Sequence, residues 1–256
     1  MRLTSKTAIV TGAGSGIGVG IATRFAEEGA KVIVNDINAE GGEKTVAAIR
    51  ARGGEATFQK ADVTSAAGWQ SLIAAAQKTY GGLDCVVNNA GWSHVNRPYL
   101  EVTEADFDRC FNVNVKSVYL SAQAALPVFR AQGKARGGAI VNIASTAGVR
   151  PRPGLTVYNA SKGAVVLMSK SMAAEFAPDN VRVNCVNPVF NPDTSLSTSF
   201  AGGEIDEARR SKFLVTIPLG RFSTAQDVAN ACLYLASDEA NFITGVNIEV
   251  DGGRCV

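Results

Sequence analysis

The chain has 256 residues, of which 46% are hydrophobic and 19% are charged, and its formal net charge is +2. This composition is typical of a globular protein with a full hydrophobic core and excludes an intrinsically disordered chain. The basic residues are scattered, so we expect no nucleic-acid partner. No apolar run approaches the length of a membrane span, so we expect no membrane partner. The N-terminus lacks a signal-peptide pattern, so we expect a cytoplasmic location.

Short apolar runs alternate with longer helix-period segments along the whole chain. The first four predicted strands are TAIV (7–10), KVIVN (31–35), ATFQ (56–59) and LDCVVN (83–88). The last three are AIVNIA (139–144), VRVNCVN (181–187) and VNIEV (246–250). Parallel strands need long crossover connections, and these runs are apolar on both faces. The pattern therefore predicts a seven-stranded parallel sheet flanked by helices on both faces.

Helical segments fill the intervals between these strands. The first ends at Glu28, and the others are predicted at 41–52, 66–80, 104–130, 157–177 and 225–236. Since no linker, internal repeat or low-complexity tract divides the chain, we predict a single doubly wound α/β domain over residues 1–256. The segment 189–203 is rich in Ser, Thr, Asn and Gly, and it is predicted to be a long loop of the kind that often acts as a lid.

The glycine-rich turn TGAGSGIG (11–18) lies directly after the first strand and directly before the first helix. In a Rossmann fold this is where a pyrophosphate binds, on the exposed N–H groups of the helix N-terminus. Glycines such as Gly12 and Gly16 permit positive φ and let the backbone approach the phosphates closely. The turn therefore predicts a dinucleotide site, although its spacing differs from the G-x-G-x-x-G pattern.

Asp36 ends the second strand, where a carboxylate can accept hydrogen bonds from the hydroxyls of the adenosine ribose. The same carboxylate repels a 2′-phosphate. Neither Ser15 nor Ile37 provides a basic side chain to receive that phosphate. The sequence therefore predicts NAD as the cofactor in preference to NADP.

These features resemble the short-chain dehydrogenase/reductase family, and the resemblance runs through the whole chain. The matching residues are Thr11, Gly12, Gly16, Gly18, Asp62-Val63, Asn88-Asn89-Ala90-Gly91, Asn114, Ser145, Tyr158-x-x-x-Lys162, Asn187-Pro188 and Asp251-Gly252-Gly253. Together with Asp36, the resemblance implies a cofactor site formed by Gly12, Ser15, Gly16, Ile17, Gly18, Asp36, Ile37, Asp62, Val63, Asn88, Asn89, Ala90, Gly91, Tyr158, Lys162, Pro188, Val189 and Thr194. It also implies a homotetramer or a dimer formed through the long helices at 106–131 and 157–177.

Tyr158 and Lys162 are four residues apart in a predicted helix, so they share one face. A tyrosine is mostly protonated near neutral pH, and a nearby ammonium lowers its pKa. We therefore predict Tyr158 as the general acid/base and Lys162 as its electrostatic partner; the resemblance adds that Lys162 binds the nicotinamide ribose. Ser145 is predicted to hydrogen-bond the reacting oxygen of the substrate. By the resemblance, Asn114 holds a water that links Lys162 to solvent.

The loop after the sixth strand departs from the family pattern. Val189 stands where the family usually has Gly, and Thr194 lies one place later than the usual Thr. Because Val resists positive φ and Pro192 restricts its own φ, we expect a different backbone path. Val189 remains a candidate to bond the nicotinamide carboxamide through its backbone, while the role of Thr194 stays open. The family builds substrate specificity in this region, so residues 189–216 are predicted to form the specificity loop or lid.

The candidate substrate pocket is mostly apolar, which favours a cyclic, aromatic or medium-sized apolar substrate over a free sugar. Its candidate residues are Trp92, His94, Val149, Leu155, Phe190, Leu196 and Phe200. His94 is the single histidine, and Tyr158 already fills the role of the base. With one histidine and five irregularly spaced cysteines, we expect no metal site.

The sequence as a whole predicts an NAD-dependent oxidoreductase that interconverts a small-molecule secondary alcohol and a ketone. A 3-oxoacyl-thioester reductase and a sugar or polyol dehydrogenase of the same family remain open. Asp36 disfavours the former, which would normally prefer NADP. From a different class, an NAD-binding regulator without turnover also remains open, but the complete set of Ser145, Tyr158, Lys162 and Asn114 disfavours it.

Overall fold

The computed structural model describes residues 1–194 and 196–256, and within them seven parallel strands form one sheet in the order β3-β2-β1-β4-β5-β6-β7. The strands are β1 (Thr7–Thr11), β2 (Lys31–Asp36), β3 (Glu55–Lys60), β4 (Cys85–Asn88), β5 (Gly138–Ile143), β6 (Val181–Pro188) and β7 (Asn247–Val250). The strand order reverses between β1 and β4, which creates the crevice where doubly wound folds bind ligands. The predicted fold class is confirmed.

Helices cover both faces of this sheet. In the described part of the chain they are α1 (Gly16–Glu27), α2 (Ala39–Ala51), α3 (Ala66–Tyr80), α4 (Glu104–Phe111), α5 (Ser117–Gln132), α6 (Thr156–Phe176), α7 (Ser197–Ala201), α8 (Glu207–Leu214) and α9 (Ala225–Ala236). None of these helices is both long enough and apolar enough to cross a membrane.

Two segments differ from the sequence prediction. The helix predicted over 104–130 is divided by a π-helical segment, Asn112–Lys116, which joins α4 to α5. The long loop predicted over 189–203 contains the short helix α7. A π-helical turn changes the hydrogen-bond partner by one residue without changing the apolar pattern, so hydrophobic periodicity does not reveal it.

The strands are buried on both faces, as the apolar runs predict. Along β1, Ala8 and Val10 belong to the core on one face of the sheet together with Phe25 of α1. Ile9 lies between them in sequence and belongs to the opposite core, with Trp69 of α3. This alternation is the period-2 geometry of a strand that is buried under two helical layers.

The pairing of β1 with β4 brings the glycine-rich turn against the loop that follows β4. The Thr11 hydroxyl accepts hydrogen bonds from the backbone N–H groups of Asn89 (3.0 Å) and Ala90 (3.1 Å). The Asn89 side chain donates in return to the carbonyls of Thr11 (2.9 Å) and Gly12 (3.1 Å). These reciprocal bonds hold the two loops together at the carboxyl edge of the sheet.

Candidate active site

A cleft of about 360 Å³ lies at this edge and brings most of the predicted cofactor residues together. Those that line it are Gly12, Ser15, Gly16, Ile17, Asp36, Ile37, Asp62, Val63, Asn89, Ala90, Gly91, Tyr158, Lys162, Pro188, Val189 and Thr194. Ser145 of the predicted catalytic set lines the same cleft. Three residues of the predicted cofactor and catalytic sets do not line the cleft: Gly18, Asn88 and Asn114.

The glycines of the turn are required by close backbone approaches. Gly12 and Gly16 have φ of +61° and +54°. A Cβ on Gly12 would lie 2.9 Å from the Ala90 Cα, and a Cβ on Gly18 would lie 2.1 Å from the Gly12 carbonyl oxygen. Gly18 therefore lets α1 pack beneath the turn, and its predicted contact with the cofactor stays a prediction.

Gly14 is extra to the family motif, yet the structure gives it a function. Its N–H donates to Oδ2 of Asp36 at 2.9 Å, and a Cβ at this position would lie 2.8 Å from the same oxygen. The other carboxylate oxygen of Asp36 accepts from the Asn38 N–H at 2.9 Å. Asp36 is thus fixed beside the turn at the end of β2, and in the part of the chain that the structure describes it forms no ion pair with a Lys or Arg.

The residues of the turn fit the phosphates of a dinucleotide. Ser15 occupies the N-cap position of α1 with extended backbone, and among the described residues no side chain caps this helix. The first-turn N–H groups of α1 are therefore free to donate hydrogen bonds to an anion. The positive end of the helix dipole attracts the same anion. The first turn also carries no acidic residue that would repel one.

Tyr158 and Lys162 project from one face of α6 into the cleft, and both are 4% exposed. The Lys162 ammonium lies 5.8 Å from the centroid of the Tyr158 ring and donates to the Ile143 carbonyl at 2.8 Å. Ser145 follows β5, where its hydroxyl accepts from the Ala147 N–H at 3.1 Å. The structure thus brings the three predicted groups together.

Burial opposes the predicted lowering of the Tyr158 pKa by Lys162, and that effect stays a prediction. Burial raises the pKa of Tyr158, and the neighbouring Ser145 hydroxyl opposes only part of this rise. Burial also lowers the pKa of Lys162 to about 8, which weakens its hold on the proton. The physical reason is that both groups are desolvated together, and the ammonium hydrogen-bonds a backbone carbonyl.

Asn114 lies at the centre of the π-helical segment and joins two parts of the site without lining the cleft. Its side chain accepts from the Trp92 N–H at 2.8 Å and donates to the Trp92 carbonyl and the Ser161 hydroxyl, both at 2.9 Å. A Cβ on Gly91 would lie 3.4 Å from Asn114 Oδ1 and 3.5 Å from Lys162 Nζ. Asn114 therefore lies close to Lys162 across Gly91 and orients the loop that carries this glycine.

Asn88 does not line the cleft, and its predicted role in cofactor binding stays a prediction. Its amide donates to the Ser121 hydroxyl at 2.7 Å and to the Asn142 amide oxygen at 2.8 Å. The Asn142 amide in turn donates to the Ser169 hydroxyl at 2.9 Å. These bonds join β4, β5 and the helices through the Asn88 amide nitrogen, while the Asn88 amide oxygen has no hydrogen-bond partner among the described residues.

The atypical loop after β6 brings Thr194 to the glycine-rich turn. A Cβ on Gly16 would lie 3.6 Å from the Thr194 methyl carbon, so Thr194 borders the cleft despite its shifted position. The Val189 N–H donates to the Val250 carbonyl at 3.1 Å, so this bond occupies one of the backbone groups of Val189, and its predicted backbone bond to the carboxamide stays a prediction. Within the predicted loop or lid of residues 189–216, Ser195 lies outside the described residues.

The predicted substrate residues divide into two groups. Those that line the cleft are Leu155, Phe190, Leu196 and Phe200. Those that do not are Trp92, His94 and Val149. His94 is buried, and its Nδ1 lies 2.9 Å from the Val95 carbonyl. The Trp92 ring packs 4.5 Å from the Arg109 guanidinium carbon, and Val149 is 48% exposed. These three side chains lie outside the lining of the cleft, and their predicted pocket roles stay predictions.

Sequence reasoning missed Arg152 and Phe213, which also line the cleft. Phe213 of α8 stacks on Phe190 at 4.1 Å between ring centroids. Neither residue belongs to a motif, and α8 approaches the site only through the tertiary fold. Among the described residues, no group of three His, Cys, Asp or Glu gathers in a way that could hold a metal ion.

The chain is similar in sequence and in fold to known dehydrogenases and reductases. The family model described as enoyl-(acyl carrier protein) reductase matches residues 12–254. A 4-formylbenzenesulfonate dehydrogenase of Comamonas testosteroni is 50% identical over 254 residues, 99% of each chain. A 2,5-dichloro-2,5-cyclohexadiene-1,4-diol dehydrogenase of Sphingobium indicum is 40% identical, over 100% of this chain and 98% of that one. The crystal structure of a 3-ketoacyl-(acyl-carrier-protein) reductase from Brucella melitensis complexed with NADH superposes with a TM-score of 0.92 and 41% identity, covering 99% of this chain and 100% of that chain.

Proposed function

Because the chain belongs to the short-chain dehydrogenase/reductase family, whose members are oxidoreductases that bind a nicotinamide cofactor, we propose that it is an NAD-dependent enzyme interconverting a secondary alcohol and a ketone. The observation that carries the proposal is the convergence of Ser145, Tyr158 and Lys162 in a cleft that also contains Asp36 and the uncapped N-terminus of α1. Such a reaction needs both proton-transfer groups and a dinucleotide-binding site.

The side chains of this site supply the proton chemistry. When bound, the nicotinamide cofactor supplies the hydride acceptor for oxidation and the hydride donor for reduction. In the reducing direction, the Tyr158 hydroxyl donates its proton to the carbonyl oxygen, and the raised pKa of Tyr158 keeps that hydroxyl protonated at neutral pH. In the oxidising direction, Tyr158 first releases its own proton to solvent and then, as the phenolate, accepts the proton of the alcohol. The Ser145 hydroxyl holds the same oxygen by a hydrogen bond, and the Lys162 ammonium stabilises the negative charge that develops there.

The aromatic and apolar side chains that line the cleft favour a ring-shaped substrate. Phe200 lies 5.0 Å from the Tyr158 ring, and Leu155, Phe190 and Leu196 add further apolar surface. Two relatives reported above are named for ring compounds, a formylbenzenesulfonate and a dichlorocyclohexadienediol. Both observations favour a cyclic or aromatic alcohol over a sugar or an acyl thioester.

A substrate panel tests the proposed function. Oxidation of 1-phenylethanol, cyclohexanol and sorbitol is followed by the absorbance of reduced nicotinamide, with NAD and with NADP, and reduction of acetoacetyl-CoA is followed with both reduced cofactors. We expect turnover of the ring alcohols with NAD. Activity confined to sorbitol or to the thioester would overturn the substrate class, and lack of turnover with every compound would overturn the enzymatic proposal.

The cofactor preference is tested by Asp36→Asn, which keeps an oxygen that can accept from the Gly14 N–H and removes the negative charge. We expect the ratio of kcat/KM for NADP to that for NAD to rise by about tenfold, because a carboxylate next to a 2′-phosphate is repelled and an amide is not. Glu40→Gln is the matched control, since Glu40 is an exposed carboxylate on the neighbouring α2. An unchanged ratio in Asp36→Asn would show that Asp36 does not select NAD.

The predicted homotetramer or dimer stays a prediction. The helices that the resemblance assigns to the interface carry exposed apolar side chains: Phe107 of α4 is 46% exposed, Tyr119 of α5 is 52% exposed and Leu167 of α6 is 67% exposed. Contact with a second copy would remove this apolar surface from water.

A further inference from the structure

Arg152 presents a guanidinium to the same cleft as Tyr158. Its central carbon lies 4.8 Å from the centroid of the Phe213 ring, and Nη2 donates to the Thr216 hydroxyl at 3.1 Å. Thr216 can accept this bond because its own hydroxyl hydrogen is donated to the Phe213 carbonyl at 2.7 Å. The ring and the hydroxyl hold the guanidinium in place, and most of its five N–H donors remain available to a ligand.

The structure surrounds Arg152 with positive charges and gives it no anionic partner among the described residues. Within the described residues, no carboxylate forms an ion pair with it. Burial and the neighbouring cations Arg254 and Arg150 lower the pKa of Arg152 to about 10, so it still carries its charge at neutral pH. Arg254 is 6% exposed, and its Nε and Nη1 have no hydrogen-bond partner in the described part of the chain. Because buried charge is costly unless it is paired, this corner of the cleft is suited to an anion.

A continuous series of aromatic rings connects Arg152 with Tyr158. The Tyr158 and Phe200 centroids are 5.0 Å apart, those of Phe200 and Phe190 are 6.5 Å apart, and Phe190 stacks on Phe213 at 4.1 Å. We call Phe190, Phe200 and Phe213 the aromatic wall. Aromatic surface therefore runs from Tyr158 to the Arg152 guanidinium, and a flat ring can stack along it.

We propose that Arg152 determines specificity by binding a carboxylate or sulfonate on a ring alcohol whose reacting carbon lies at Tyr158. This rests on the proposed function and adds the charge of the substrate to it. A planar guanidinium binds either oxyanion through paired N–H donors, and the positive charges of Arg150 and Arg254 add to the attraction. The carboxylates that line the cleft, Asp36 and Asp62, are predicted to bind the adenosine part of the cofactor.

Two probes of nearly equal shape test this assignment: 4-(1-hydroxyethyl)benzoate and its neutral amide, 4-(1-hydroxyethyl)benzamide. We expect the wild-type enzyme to oxidise the acid with a kcat/KM roughly 10- to 100-fold above that of the amide, on the scale of one charge-assisted hydrogen-bond pair. Arg152→Gln should remove this preference: the KM for the acid should rise, and the ratio of kcat/KM for the acid to that for the amide should fall to about one. Arg152→Lys keeps the positive charge but lacks the paired N–H donors of the planar guanidinium, so it should retain only part of the preference.

The matched control is Arg210→Gln. Arg210 also packs over an aromatic ring, 5.0 Å from the Phe222 centroid, but it is exposed and does not line the cleft. Its variant should keep the acid preference of the wild type. If the wild type oxidises the amide as well as the acid, or if Arg152→Gln keeps the preference, the role of Arg152 is overturned while the proposed function stands. If the wild type oxidises neither probe nor any ring alcohol of the panel, the proposed function itself fails.

Discussion

Tyr158→Phe is expected to lower the kcat of alcohol oxidation by about 1000-fold and to leave the affinity for NADH within a few-fold of the wild type. The substitution removes only the hydroxyl. The ring keeps its contact with Phe200 at 5.0 Å and its place in the buried cluster with Leu155. Initial rates with a ring alcohol measure the loss, and a fluorescence titration with NADH measures the retained affinity.

The matched control for this variant is Tyr80→Phe, which also removes a tyrosine hydroxyl. Tyr80 ends α3, and its hydroxyl lies 2.9 Å from the Thr57 hydroxyl, away from the residues that line the cleft. We expect wild-type turnover from this control. Turnover of Tyr158→Phe at the wild-type rate would remove Tyr158 from the mechanism, and loss of NADH binding would mean that the variant had disturbed the cleft as a whole.

Local chemistry explains why the fold and the glycine-rich turn were predictable. Strands buried on both faces are mostly apolar, so a run such as TAIV is recognisable without any knowledge of its neighbours. Gly12 and Gly16 adopt positive φ within the turn itself. The function of Gly14 was not predictable in the same way, because it depends on Asp36, which reaches the turn only when β2 pairs with β1.

The surroundings of several other site residues were not predictable, because they depend on contacts with distant segments. The Val189 N–H is occupied by the carbonyl of Val250 on β7, a partner that the sequence around Val189 does not indicate. Asn88 points into a buried amide network, although its neighbour Asn89 lines the cleft. Arg152 and Phe213 enter the site from segments without a motif. Residue type and spacing predict the chemistry of side chains within one helix, strand or turn. The substrate end of the cleft is formed by several such elements, so its residues cannot be predicted in this way.

Lys162→Met is expected to raise the free energy of unfolding of the cofactor-free protein by about 2 kcal/mol at pH 7, while it abolishes turnover. Burial lowers the pKa of Lys162 from 10.5 to about 8, which corresponds to about 3 kcal/mol of cost for keeping its charge in the folded state. Loss of the hydrogen bond to the Ile143 carbonyl offsets about 1 kcal/mol of this gain. Urea unfolding of both proteins measures the difference.

The pH dependence of that difference identifies its cause. Between pH 8 and 10.5 the unfolded wild type still holds the Lys162 proton while the folded protein releases it, so wild-type stability rises with pH across this window. Methionine does not titrate, so the advantage of Lys162→Met should be complete below about pH 8 and should disappear towards pH 10.5. Lys170→Met, an exposed position on the same helix, should show no such change. A difference that stays constant with pH, or a variant less stable than the wild type at pH 7, would contradict the desolvation of Lys162. The expected result means that the chain keeps this ammonium at a cost in stability, which is typical of a group that serves chemistry and not folding.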